Sequence, residues 1–137
     1  RYPSHSWDDR DRALSYLEGL WTVQDASAQL AAELLGPRPG MRVLDLGTGT
    51  GILAMWAARA GAEVVAIEPH DIIAVARRVA ADNGLDGRIR FIQADSREVE
   101  LDEPVDLVVT ECMGNFFVTD EMQPVLRDLP RHLADGG

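Results

Sequence analysis

The sequence predicts an α/β fold, a doubly wound parallel sheet with strands in the order 3-2-1-4 behind an N-terminal helical segment. Two observations carry that prediction. The first is the stretch Val43-Leu44-Asp45-Leu46-Gly47-Thr48-Gly49-Thr50-Gly51. A short apolar run from Met41 to Leu46 ends in three glycines on alternate positions, and an apolar helix pattern starts at Ile52. Strand, tight loop and helix N-terminus follow one another there, as in the first βα turn of a nucleotide-type binding sheet. The second is the order of elements that follows: strand, helix, strand, helix, strand, loop, strand, helix. Right-handed crossovers then set the strand order, and ligands are expected outside the carboxyl ends of strands 1 and 4, where that order reverses.

Taken in order, residues 1–36 read as the helical segment and residues 37–137 as the sheet core. Asp8, Asp9 and Asp11 suit the positive end of a first helix, with Leu14, Leu17 and Trp21 at helical spacing and Gly19 weakening its last turn. Thr22 or Asp25 caps a second helix, which turns Leu30, Ala31, Leu34 and Leu35 inward and stops at Gly36-Pro37. Pro39-Gly40 turns the chain into strand 1. The helix from Ile52 to Ala60 is apolar nearly all round, so it is expected to be buried and to end at Gly61. Glu63 to Glu68 forms strand 2 on a core of Val64, Val65, Ala66 and Ile67. Asp71 is expected to cap the next helix, which carries Ile72, Val75, Ala76 and Val79 and closes at Asn83-Gly84. Ile89 to Ala94 is strand 3, and Asp95-Ser96 begins the loop after it. Val105 to Thr110 is strand 4, with Glu111 at its C-terminal end. A last helix from near Asp120 carries Met122, Val125, Leu126 and Leu129, and Pro130 shortens or kinks it.

At 137 residues, with 46% hydrophobic and 26% charged, the chain is expected to be one soluble domain with a real core. No apolar run reaches the length of a membrane span, and no secretory leader is visible. The lone cysteine, Cys112, suits a reducing compartment, and the expected location is cytoplasmic. A net charge of -10 argues against a general nucleic-acid backbone binder; it would suit a cationic substrate, although a solvated acidic surface is the plainer explanation. Lysine is absent, which reads as codon bias rather than function. His5, His70 and His132 have no ligand spacing, so no metal site is expected.

The glycine spacing is G-x-G-x-G, and Ile52 stands where a dinucleotide fingerprint has its third glycine. Asp45, inside the strand end, would repel a pyrophosphate but not a sulfonium or amino group. Glu68, at the end of strand 2, is placed to accept from both hydroxyls of a ribose. Asp95, after strand 3, is placed to accept from an exocyclic amine such as that of adenine. The outlined ligand has an adenine, a free ribose and a positively charged end. At this point residues 43–51, Val65-Ala-Ile-Glu68, Gln93-Ala-Asp95-Ser96 and the acid-ended fourth strand resemble the class I S-adenosylmethionine-dependent methyltransferases. The resemblance implies a Rossmann-like methyltransferase fold over residues 37–137, with S-adenosyl-L-methionine as cofactor and S-adenosyl-L-homocysteine as product. It also implies cofactor contacts from Asp45, Gly47, Thr48, Gly49, Gly51, Glu68, Pro69, Asp95, Ser96 and Glu111.

Thr110-Glu111-Cys112-Met113-Gly114, followed by Asp120-Glu121, is similar to the double-glutamate loop of the protein arginine methyltransferases. The helix Ile52 to Gly61 and the stretch Asp95 to Leu101 are similar to that group as well. The resemblance implies catalytic roles for Glu111 and for Asp120 or Glu121. The chemistry is coherent, because two carboxylates can clamp a guanidinium in bidentate fashion and localise its charge away from the attacking nitrogen. The chain departs from the pattern in four places. Asp120 stands nine residues after Glu111 where the group has glutamate, and Cys112 replaces a tryptophan. No aromatic Tyr-Phe-x-x-Tyr element stands near the start, and residues 25–35 hold no arginine for the cofactor carboxylate. Asp120-Glu121 also reads as the acidic first turn of a helix, and Ser96 as a helix cap. Phe116 and Phe117 read as core or cofactor-covering residues, and Cys112 as a small buried one. Two other functions stay open: methyl transfer to a different small-molecule or protein acceptor, and a catalytically idle cofactor-binding module. Strand 4 is expected to have an open edge, covered by missing C-terminal strands or by a second copy in a homodimer. The expected substrate is a small molecule or an arginine-containing protein, with no nucleic acid or membrane partner.

Overall fold

Among the residues described by the computed structural model, 33–110 and 122–134, four parallel strands form one sheet. They are β1 (Arg42–Leu46), β2 (Glu63–Ile67), β3 (Ile89–Ile92) and β4 (Leu107–Thr110), in the spatial order β3-β2-β1-β4. This is the order expected from handedness alone. Three helices accompany them: α1 (Ile52–Arg59), α2 (Ile73–Asp82) and α3 (Met122–Asp128). The helices read before residue 33 lie outside the described residues, as do Glu111 to Glu121. Residues 33–35 are helical, and Gly36, with φ of 56°, donates back to the Glu33 carbonyl and ends that turn. Leu34, expected inward, is exposed, while Leu35 packs against the core.

Each strand buries alternate residues on opposite faces, because side chains of a strand project with a period of two. Val43, Val64, Ala66, Ile89 and Val109 meet Leu53, Ala54, Ala57, Ala58 and Ala80 on the face covered by α1 and α2. Leu44, Leu46, Ile67 and Val105 meet Val99, Val125 and Leu129 on the other face. With both faces covered, the strands are mostly apolar without alternation, Arg42, Asp45, Glu63 and Arg90 being the charged exceptions. The small side chains of α1 let it lie close on β1 and β2. The helix is nonetheless not buried all round: Trp56 and Arg59 are exposed, because only one face of an eight-residue helix meets the sheet.

Both helices on that face end in the same way. Gly61 and Gly84 have positive φ, and the next residue in each case donates to a carbonyl five residues back: Ala62 to Ala57, and Leu85 to Ala80. These are Schellman closures, which satisfy carbonyls that a helix C-terminus leaves bare. The start of α2 differs from expectation. Ile72 is its N-cap with no side-chain cap, and the Asp71 carboxylate instead accepts from Nε2 of Gln93 at 2.9 Å. β3 ends at Ile92, two residues earlier than read, and β4 begins at Leu107 rather than Val105.

The register is what positions the site. Leu46 is level with Ile67 and Thr110, and Ile67 with Ile92. All four strands therefore end along one line, and the residues after β1, β2 and β3 leave from one edge of the sheet. The opposite edge is laced by ion pairs of Arg42 with Glu103 and Arg90 with Asp102. Pro124 sits in the first turn of α3, where its missing N–H is no loss, and Pro130 falls in the tight turn Leu129–Arg131 that ends the helix.

Beyond that turn the chain reaches the outer side of β4. Val105 donates to the carbonyl of His132 at 2.8 Å, Ala134 donates to the carbonyl of Val105 at 2.9 Å, and Leu133 is the parallel partner of Val105. The edge read as open is thus paired at Val105. His132 is only 3% exposed. Burial pushes its imidazole below the ordinary value, and Arg131 adds to this, while Asp128, 3.9 Å from Nε2, acts against them.

Two predictions follow from this packing. Gly51, at the N-terminus of α1, has φ of 84°, and a Cβ there would stand 3.0 Å from Cβ of Ala76. Gly51→Ala should therefore lose about 1–3 kcal/mol in urea unfolding. The buried imidazole takes up its proton at a lower pH than in the unfolded chain. Stability should be whole above about pH 6.5 and fall as pH drops below it. His132→Gln should narrow the difference between urea midpoints at pH 7.5 and pH 5.5, and an unchanged difference would contradict the assignment.

Candidate functional site

The site is built on the aligned strand ends, beginning with a buried carboxylate. Asp45 projects from β1 toward α1 and is 1% exposed. Its Oδ2 accepts from the Thr48 hydroxyl at 2.7 Å and from the backbone N–H of Ala54 at 2.9 Å. An ionisable group taken out of water is tolerated only when its partners are in place. These two bonds tie the end of β1 to the glycine loop and to the first turn of α1. Asp45 and Thr48, both read as cofactor contacts, are therefore brought together beneath the loop and directed inward.

The loop is hitched to β2 as well. Gly47 and Thr48 both donate to the carbonyl of Ile67, at 2.9 and 3.1 Å. Gly49 donates to Oε2 of Glu68 at 3.1 Å, with φ of 52° and open space where a Cβ would stand. That combination leaves a strip of bare backbone beside the Glu68 carboxylate, which a side chain would narrow.

Glu68 is 6% exposed, and its other oxygen, Oε1, accepts from the backbone N–H of His70 at 3.0 Å. Each carboxylate oxygen has two acceptor positions. One backbone N–H on each oxygen leaves one position on each, side by side, which suits two neighbouring hydroxyls. Pro69 and His70 are exposed beside it. The donor set at this edge is carboxylate and backbone amide, so it fits the ribose diol and amine of an adenosyl group.

Asp95 follows β3, and its carboxylate is taken up by Arg97. The backbone N–H and Nε of Arg97 donate to Oδ1 at 3.0 and 2.9 Å, and Nη2 donates to Oδ2. These bonds hold the Asp95 carboxyl well below the usual range, at about 2. Ser96 opens the short helical turn Ser96–Glu98, and its carbonyl accepts from Nη2 of Arg131 at 2.9 Å. Ser96 is thus held by its backbone, while Asp95 is the cap of that turn. Glu111, Asp120 and Glu121 lie outside the described residues. Glu111 follows Thr110, the last residue of β4, in sequence.

Sequence reasoning missed two participants. Arg97 has only the short spacing Asp-Ser-Arg to signal it, and an arginine two residues from an acid is too common to single out. The Asp71–Gln93 bond joins the loops after β2 and β3 across 22 positions, and no local pattern marks it.

If Asp45 is the tie that the geometry indicates, Asp45→Ala should cost about 2–3 kcal/mol in urea unfolding, from buried donors left without a partner. Asp45→Asn keeps an acceptor oxygen and should lose clearly less. Equal losses in the two variants would contradict the role.

Residues 43–137 match the family described as "Methyltransferase domain". Protein arginine N-methyltransferase PRMT10 of Arabidopsis thaliana is 40% identical over 84 residues, which cover 61% of this chain and 22% of that protein. The chain spans about a quarter of the length of the curated relatives it matches. The solved PRMT1 enzyme-prozyme heterotetrameric complex of Trypanosoma brucei, which holds AdoHcy, aligns with a TM-score of 0.66 at 36% identity. It covers 75% of this chain and 32% of its own. A SAM-dependent methyltransferase from Geobacter sulfurreducens, 24% identical, shares the fold with a TM-score of 0.68 over 92% of this chain and 52% of its own. Strand order, the glycine loop after β1 and the family match agree: the chain belongs to the methyltransferase domain family and has the fold of S-adenosylmethionine-dependent methyltransferases.

Proposed function

We propose that the chain binds S-adenosyl-L-methionine at the carboxyl ends of β1, β2 and β3 and transfers its methyl group to a guanidinium nitrogen of arginine, in a protein or an arginine-like small molecule. The observation that carries the cofactor half is Glu68, a buried carboxylate beside the bare backbone of Gly49, with one acceptor position left on each oxygen. Glu68 takes the two ribose hydroxyls there. The loop from Gly47 to Gly51 passes along the methionyl end, and Asp45 acts through the loop by holding it. Asp95 takes the amine of adenine. When bound, the cofactor supplies an electrophilic methyl on a sulfonium, and the sulfur keeps the bonding pair and leaves as a thioether.

The acceptor half rests on sequence and likeness. Glu111 and either Asp120 or Glu121 are assigned to hold the guanidinium, orienting one nitrogen toward the methyl and drawing positive charge onto the others. The nitrogen that gains the methyl gives up a proton to solvent. Relatives named as protein arginine N-methyltransferases support this reading, as does a net charge of -10 for a cationic substrate.

Transfer of labelled methyl from S-adenosylmethionine to arginine-rich and lysine-rich peptides tests the proposal. Label is expected on guanidinium nitrogen, and Glu111→Gln should lower the rate by about a hundredfold or more. Label found only on oxygen, carbon or carboxylate acceptors would overturn the arginine assignment and leave methyl transfer standing. Glu68→Ala should weaken cofactor binding by about tenfold or more, from the loss of two hydrogen bonds to a charged acceptor.

A further inference from the structure

Three bonds from one residue to one carboxylate are more than an incidental surface pair. Arg97 contributes its backbone N–H, Nε and Nη2 to Asp95, whose side chain is 35% exposed. A carboxylate offers about four acceptor positions. Oδ1 uses two on Arg97 and Oδ2 uses one, which leaves a single position on Oδ2. The planar guanidinium fork also fixes the plane of the carboxylate, which a lysine ammonium would not do. The flanks are tied as well, by Gln93 to Asp71 on one side and by the Ser96 carbonyl to Arg131 on the other. Asp95 is therefore held at a set angle with one acceptor to offer.

We infer that Arg97 is a positioning residue of the adenine subsite, presenting the one remaining acceptor of Asp95 to the exocyclic amine of the S-adenosyl group. The inference rests on the reading of this edge as a cofactor site. One acceptor matches one N–H of a 6-amino purine. The same position has nothing to bind in a purine that lacks the amine. Without the Arg97 side chain the carboxylate keeps only the backbone N–H bond to Oδ1 and its plane is no longer held, so the amine must order it on binding and the selectivity drops.

The test is the ratio of dissociation constants for S-adenosylhomocysteine and its 6-deamino analogue, measured by calorimetry on the 137-residue chain. Wild type should prefer the adenosyl compound by about tenfold, the worth of a hydrogen bond to a charged group. Arg97→Ala should cut that preference to about two- to threefold, Arg97→Lys should recover part of it, and Asp95→Ala should abolish it. Circular dichroism of each variant should match wild type, since both side chains reach solvent. A wild-type preference kept in Arg97→Ala would overturn the inference. So would a preference that falls in Arg97→Ala but survives in Asp95→Ala, because Arg97 would then act without Asp95. Equal binding of the two compounds by wild type would overturn it and leave the cofactor reading intact. Binding of neither compound would remove that reading and the inference with it.

Discussion

The rest of the site depends on the buried carboxylate of Asp45. It lies at the end of the central strand β1, is shut off from water, and meets the Thr48 hydroxyl and the Ala54 N–H. A charge left alone in such a place would cost several kcal/mol, so its partners have little freedom to leave. That constraint fixes where the glycine loop turns and where α1 begins. Gly51 then has to adopt a left-handed backbone close against Ala76, a position that no larger residue fills without strain. The tie also works sideways, because the loop it holds donates to Ile67 and Glu68 at the end of β2.

Three acids stand along the same edge and do different work because their partners differ. Asp45 is turned inward and serves the loop. Glu68 is buried but is gripped only by backbone N–H groups, one per oxygen, and keeps capacity for a ligand. Asp95 is half open and is committed to a side chain, Arg97, that leaves it one acceptor. Moving outward along this series, the carboxylates pass from shut inside the protein to open at its edge. At the opposite edge Arg42 and Arg90 are instead closed on Glu103 and Asp102.

Much of the fold was legible in the sequence because its signals are local or follow from chirality. Apolar runs of strand length, glycines after helices and right-handed crossovers were enough for the order β3-β2-β1-β4. What was not legible depends on distant partners. Asp71 looked like a helix cap, yet its carboxylate is claimed by Gln93 far along the chain. The edge of β4 looked open, yet Leu133 returns to pair with Val105. Trp56 looked buried by composition, but α1 meets the sheet on one face only. Within the site, Glu68 and the glycines were readable from their positions at strand ends. The inward turn of Asp45 was not, because strand alternation sends it toward α1 and only the packed helix reveals the N–H waiting there. Glu111, Asp120 and Glu121 were read from a resemblance and lie outside the described residues.

The central claim is that the edge beside Gly49 and Glu68 receives the cofactor. Amide resonances of the chain, followed by heteronuclear NMR as S-adenosylhomocysteine is added, test it most directly. Saturable shifts are expected at Gly49 and His70, whose N–H groups bind the Glu68 carboxylate, with Arg88 and Arg90 at the far edge of the sheet unmoved. Shifts confined to that far edge, or none at all, would contradict it.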